Sequence, residues 1–170
     1  PLLGAFQIYV ILPAVAVALT QGFELQEAVN ALADFSLPAG RMSVIPGIKD
    51  SLIIDSSYNA SPESVKQALD ILAGSAGADG GRGAASAGAG RRIAVLGSMN
   101  ELGEYAEQKH REIGRYAAER VDYLMTVGEN AKWIAEEALR AGLKDFLLSV
   151  HDDAMGAGEQ LRKILKENDV

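Results

Sequence analysis

The chain predicts an α/β fold: a Rossmann-like, mainly parallel sheet with flanking helices, preceded by helices that belong to another unit. Three observations carry this. From Arg92 onward, short β-rich runs alternate with helical ones, the rhythm of a parallel sheet covered by helices. The step Leu37-Pro38-Ala39-Gly40-Arg41 separates that texture from an apolar helical stretch before it. Of 170 residues, 48% are apolar and 23% charged, which suits one globular domain, or one domain plus a piece of another.

Composition also excludes several classes. There is no cysteine, so no disulfide scaffold, and with only His110 and His151 besides, no zinc finger. Sixteen Lys+Arg against 23 Asp+Glu give a net charge of −7, which leaves no basic footprint for nucleic acid.

Residues 8–19 form a 12-residue apolar run, too short to span a bilayer. No Lys or Arg occurs before Arg41, so the run lacks the charged start of an export signal, and no membrane insertion is expected. It reads as a buried helix with Pro13 in or near its first turn. Residues 24–35 read as a second helix, with Leu25, Ala28, Val29 and Leu32 on one face. Beyond the break, residues 42–46 and 51–55 are two short strands joined by a turn at 47–50. Ser61 caps the next helix, Pro62 takes its first position, and Val65, Ala68, Leu69 and Leu72 form its apolar stripe.

Residues 74–90 form a Gly/Ala/Ser insert in which only Asp79 and Arg82 depart from those three types. A flexible loop is expected there. The insert follows a helix, so its glycines do not have the strand-to-helix setting of a phosphate loop. Strands are then expected at 92–97, 123–128 and 146–150, and helices at 103–119, 130–141 (with Gly142 just past its end) and 153–167. Trp133, with Ile134, Ala138 and Ala141, reads as core or rim packing. His110 is flanked by Glu107, Lys109, Arg111 and Glu112 and reads as a solvated helix histidine; His151 has no partner signal.

Function in parallel sheets sits at the C-terminal strand ends. Three segments qualify: 55–59, 97–103 and 128–130. The first is Asp55-Ser56-Ser57-Tyr58-Asn59-Ala60-Ser61-Pro62. Asp55 can accept from a ribose diol, Tyr58 can lie against a purine or order the loop, and Asn59 offers a donor and an acceptor. The same residues equally suit an Asx turn followed by an ordinary helix cap.

That segment resembles the signature opening the C-terminal domain of Mur ligases. A second stretch agrees: Val95-Leu96-Gly97-Ser98-Met99-Asn100-Glu101-Leu102-Gly103, followed by His110 and Gly114, is similar to a Leu-Gly-Asp-Met-x-Glu-Leu-Gly…His…Gly pattern of the branch that adds D-alanyl-D-alanine to UDP-N-acetylmuramoyl-tripeptide. Gly40-Arg41-Met42 matches the family's domain junction. The chain departs from the pattern at Ser56 and Ser98, where acids are usual, and at Val10, where the family's adenine-contacting Asn would fall.

The resemblance implies a cytoplasmic, monomeric ATP-dependent amide ligase of peptidoglycan precursor synthesis, working through an acyl phosphate with magnesium. It implies that 1–39 is the tail of the central ATPase domain and 40–170 the C-terminal domain, lacking its last strand. Arg41, Asp55, Tyr58 and Asn59 would meet the nucleotide; Asn100 and Glu101 would meet the dipeptide. Arg41 also suits a solvated linker charge, and Glu101 a first-turn acid favoured by the helix dipole. No residue here is assigned to catalysis or to metal. The family's phosphate loop, ending Gly-Lys-Thr or Gly-Lys-Ser, is absent, so this stretch alone is expected to be inactive. The open alternatives are a relative such as another amino-acid-adding Mur enzyme or folylpolyglutamate synthase, and a non-enzymatic Rossmann-like module binding a nucleotide or a protein.

Overall fold

The computed structural model describes residues 7–33, 35, 37–75 and 90–170. Most of the 74–90 insert therefore lies outside the described residues, as does the start of the chain up to residue 6.

Helix α1 (Ile8–Thr20) holds Pro13 as its sixth residue, in the second turn, and buries none of its side chains. The buried helix expected there is thus corrected. Its residues are apolar all round, and the element it packs against is α2 (Leu25–Ala33), itself without a buried residue. Two nine-to-thirteen-residue helices cannot cover such a surface between them. No helix among the described residues is long and apolar enough to cross a membrane.

After the break come β1 (Ser43–Pro46) and β2 (Leu52–Asp55). They pair antiparallel, Ser43 opposite Asp55 and Pro46 opposite Leu52. The short connection dictates this, because a parallel pair needs a crossover of a dozen residues or more. The strand that carries Asp55 therefore lies outside the parallel sheet.

Helix α3 (Pro62–Ser75) begins as its sequence demands. Ser64 N–H donates to Ser61 Oγ at 3.2 Å, and Ser61 N–H donates back to Ser64 Oγ at 2.9 Å, a reciprocal capping box. The parallel sheet is β3 (Ile93–Gly97), β4 (Tyr123–Val127) and β5 (Leu148–His151), in that order. Helices α4 (Ala106–Ala118) and α5 (Lys132–Arg140) connect its strands, and α6 (Ala154–Ile164) follows β5 and packs on the sheet. Helix α5 ends in a Schellman motif: Leu143 N–H reaches Ala138 C=O and Gly142 N–H reaches Leu139 C=O, both at 3.0 Å, with Gly142 at φ +98°. The last strand starts later than its sequence suggests, because residues 145–147 form a 3₁₀ turn that leaves Phe146 exposed.

The core gathers Leu69 and Leu72 from α3, Ala94 from β3, Ile113, Ala117 and Ala118 from α4, Leu124 from β4, and Ile134 and Ala138 from α5. Met125, one residue on and so facing the other side of the sheet, is buried outside that cluster, as is Ala157 of α6. The two sheets are joined by the chain's final residues. Leu52 N–H donates to Asp169 C=O at 2.9 Å, Ile93 N–H to Val170 C=O at 2.7 Å, and Val170 N–H to Arg91 C=O at 2.9 Å. The Asp169 carboxylate, buried, receives the Arg91 guanidinium and the backbone N–H groups of Arg91 and Lys166.

Candidate functional site

The segment after β2 folds back on Gly40. Asp55 Oδ1 accepts from Ser57 N–H at 3.1 Å and Ser57 Oγ–H at 2.7 Å, which is the Asx turn its sequence allows. Its Oδ2 accepts from Gly40 N–H at 3.1 Å. Tyr58 N–H in turn donates to Gly40 C=O at 3.1 Å, so the loop grips both polar groups of Gly40. Gly40 is needed there: its φ is +77°, and a Cβ would stand 3.0 Å from both Tyr58 N and Cβ.

This clamp sets Arg41 over Tyr58, the guanidinium carbon 4.2 Å from the ring centroid. Both side chains are exposed. The Ser57 hydroxyl is the main influence on the Asp55 carboxyl, holding it below its ordinary value; slight burial opposes this, and the N–H groups of Ser57 and Gly40 add to it. Asp55 Oδ2 takes one bond within the chain and so keeps acceptor capacity. Asn59 lies exposed on the same loop, its Oδ1 accepting from Ala60 N–H at 2.9 Å. Arg41, Asp55, Tyr58 and Asn59 are thus brought together.

Asn100 and Glu101 stand apart from this group, on the loop after β3. Both are exposed, and neither makes a hydrogen bond or ion pair among the described residues. Glu101 is left-handed at φ +62°. It precedes a 3₁₀ turn at residues 103–105 and so lies outside α4, which removes the first-turn acid as its explanation.

His110 requires a correction. It is fully buried, not solvated. Nδ1 lies 2.6 Å from Ala106 C=O, and Met99 N–H donates to Nε2 at 2.9 Å. The ring meets Trp133 edge-on, with centroids 5.8 Å apart. The charged neighbours that suggested solvent lie on other faces of the helix. The signal that reveals the buried face is His110, Ile113, Gly114 and Ala117 at i, i+3, i+4 and i+7. His151, unassigned from sequence, has Nε2 3.0 Å from Ser149 Oγ.

Fold and site together define a Rossmann-like α/β domain with polar loops at its strand ends and a clamp on Gly40. The chain belongs to the Mur ligase family: the family model described as "Mur ligase, glutamate ligase domain" matches residues 40–170. The UDP-N-acetylmuramoyl-tripeptide–D-alanyl-D-alanine ligase of Bacillus subtilis is 30% identical over 146 residues, covering 85% of this chain and 30% of that enzyme. The ligase of the same name from Mycobacterium leprae is 37% identical over 128 residues, covering 74% of this chain and 25% of the enzyme. Among solved structures, MurF from Acinetobacter baumannii superposes with a TM-score of 0.77 at 26% identity, covering 99% of this chain and 35% of that one. MurF ligase from Thermotoga maritima, in complex with ADP, gives 0.68 at 25% identity, over 92% of this chain and 31% of that one. The chain thus spans about a third of the length of these relatives.

Proposed function

We propose that this chain is the C-terminal part of a cytoplasmic, monomeric ATP-dependent ligase that joins D-alanyl-D-alanine to UDP-N-acetylmuramoyl-tripeptide. Residues 1–39 belong to the end of the central ATPase domain and 40–170 to the C-terminal domain. The family match beginning at residue 40 and the names of the relatives support this. In the reaction, a phosphoryl group passes from ATP to the tripeptide carboxylate; the dipeptide amine then displaces phosphate and leaves an amide.

The observation that carries the nucleotide assignment is the cluster at the junction, where one clamp on Gly40 holds an exposed Arg41–Tyr58 stack beside a carboxylate with spare acceptor capacity. These groups fit the ribose and base side of ATP. Magnesium is assigned mainly to the central ATPase domain. Asn100 and Glu101 are assigned to the dipeptide side.

The test is steady-state kinetics of the full-length ligase. Asp55→Ala is expected to raise the ATP KM about tenfold while moving the dipeptide KM by less than about twofold. An unchanged ATP KM would reduce Asp55 to the Asx turn it visibly makes. The 170-residue chain by itself is expected to release no phosphate from ATP when given both substrates, because it contains no Gly-Lys-Thr or Gly-Lys-Ser loop. Substrate-dependent phosphate release would overturn the assignment of the phosphate chemistry to other parts of the enzyme.

A further inference from the structure

We propose that His110 is a positioning residue that locks residues 98–103 so that Asn100 and Glu101 are held out toward the dipeptide; this rests on the assignment of that loop given above. The loop is not one the backbone would hold unaided. Glu101 at φ +62° and Gly103 at φ +54° place two left-handed residues within three positions. A left-handed non-glycine residue is strained and persists where its surroundings over-determine it.

Those surroundings are specific. On one side, Ser98 N–H donates to Val127 C=O at 3.1 Å, and Ser98 Oγ accepts from Asn130 N–H at 3.1 Å and Ala131 N–H at 3.2 Å, which pins the loop to the start of α5. On the other, Leu102 packs against the core and its C=O receives Tyr105 N–H at 3.1 Å. Between these lies Met99, its side chain 1% exposed and its N–H aimed inward. That buried N–H has no strand or helix partner and would be orphaned without His110 Nε2.

The ring can do this in one form only. Ala106 C=O cannot donate, so Nδ1 carries the proton; Met99 N–H donates, so Nε2 carries none. Trp133 against the ring edge fixes its plane. Asn100 and Glu101, between the two anchors, remain exposed and unbonded. An imidazole anchored to its own helix through Nδ1 and giving Nε2 to the loop amide, beside two free polar side chains, is a device for presenting them.

The test compares His110→Phe, which keeps a ring without an acceptor, with His110→Gln, whose amide oxygen reaches toward the Nε2 position. Hydrogen exchange of the Met99 amide is read in the 170-residue chain, and kinetics in the full-length ligase. His110→Phe is expected to speed Met99 exchange about tenfold or more beyond any global change. It is expected to raise the dipeptide KM about fivefold with the ATP KM unchanged, and His110→Gln is expected to recover most of both. Unchanged Met99 exchange, or exchange that rises equally across the core, overturns the proposal. So does a loosened loop with an unchanged dipeptide KM. Asn100→Ala with Glu101→Ala then separates the causes. If that pair raises the dipeptide KM, the positioning role has failed; if it does not, the assignment of the loop to the dipeptide has failed.

Discussion

Gly114→Ala is expected to destabilise the chain by about 3 kcal/mol, lowering Tm by about 6–12 °C. Helices α4 and α5 meet along small residues: Gly114, Ala117 and Ala118 on one, Ala135 and Ala138 on the other, all buried. At Gly114 the approach is closest. A Cβ there would stand 2.3 Å from Ile134 C=O oxygen and 3.0 Å from both Ile134 C and Glu137 Cβ. Backbone cannot swing aside as a flexible side chain does, so the added methyl must push the helices apart and loosen Ile113 and Ile134 beneath them. Gly158 of α6 is the matched control, since a Cβ there meets nothing within 4 Å. Gly158→Ala should stabilise by about 0.5–1 kcal/mol through helix propensity and a less free unfolded chain. Urea unfolding of both variants at constant slope decides it. A Gly114→Ala loss under about 1 kcal/mol would show that the seam can yield.

Much of this is legible in the sequence, and the limits have physical causes. Elements announced by local chemistry come out close to their expected places: Ser61 and Pro62 opening α3, Gly142 closing α5, the β3–β4–β5 rhythm. What the local pattern could not supply is partnership. The 52–55 run looks like any buried strand, yet its neighbour is the strand just before it, because only five residues separate them. The α1 run looks like a core helix, yet it packs chiefly against α2 and buries no side chain. The candidate site divides the same way. The Gly40-Arg41 and Asp55–Asn59 stretches are distinct in sequence, and the fold brings them together through Gly40. The charges adjacent to His110 suggest solvent, but helical spacing turns it inward, and Gly114, four residues on, marks the same buried face.

The second large effect lies at the N-terminal ends of β3 and β4. Asp122→Ala is expected to destabilise by about 3–5 kcal/mol, because it strands a buried guanidinium. The Arg92 side chain is 7% exposed. Its Nε donates to Asp122 Oδ2 at 2.9 Å and its Nη2 to Oδ1 at 2.8 Å, a bidentate pair, while Arg92 N–H also donates to Oδ2 at 2.9 Å. Asp122 N–H and Tyr123 N–H return to Arg92 C=O, so this one contact sets the register at which β3 and β4 begin.

The pH dependence follows from the same geometry. The Arg92 guanidinium, above all, holds the Asp122 carboxyl below its ordinary value; burial works the other way, and the Arg92 N–H assists. A carboxyl depressed on folding contributes its full stability above its unfolded value, near 3.9, and loses it as pH falls through the lower folded one. Other depressed carboxyls, Asp55, Glu112 and Asp169 among them, also weaken the fold in acid, so the informative quantity is a difference. The gap in unfolding free energy between the wild type and Asp122→Ala should be constant above about pH 5 and narrow below about pH 4. A gap that ignores acid would mean that Asp122 acts through its backbone bonds and shape, not its charge. Adding Arg92→Met to Asp122→Ala separates lost attraction from stranded charge. If the guanidinium left without a partner is the main penalty, the double variant should recover about half or more of the loss, since an apolar chain of similar length can fill the same slot.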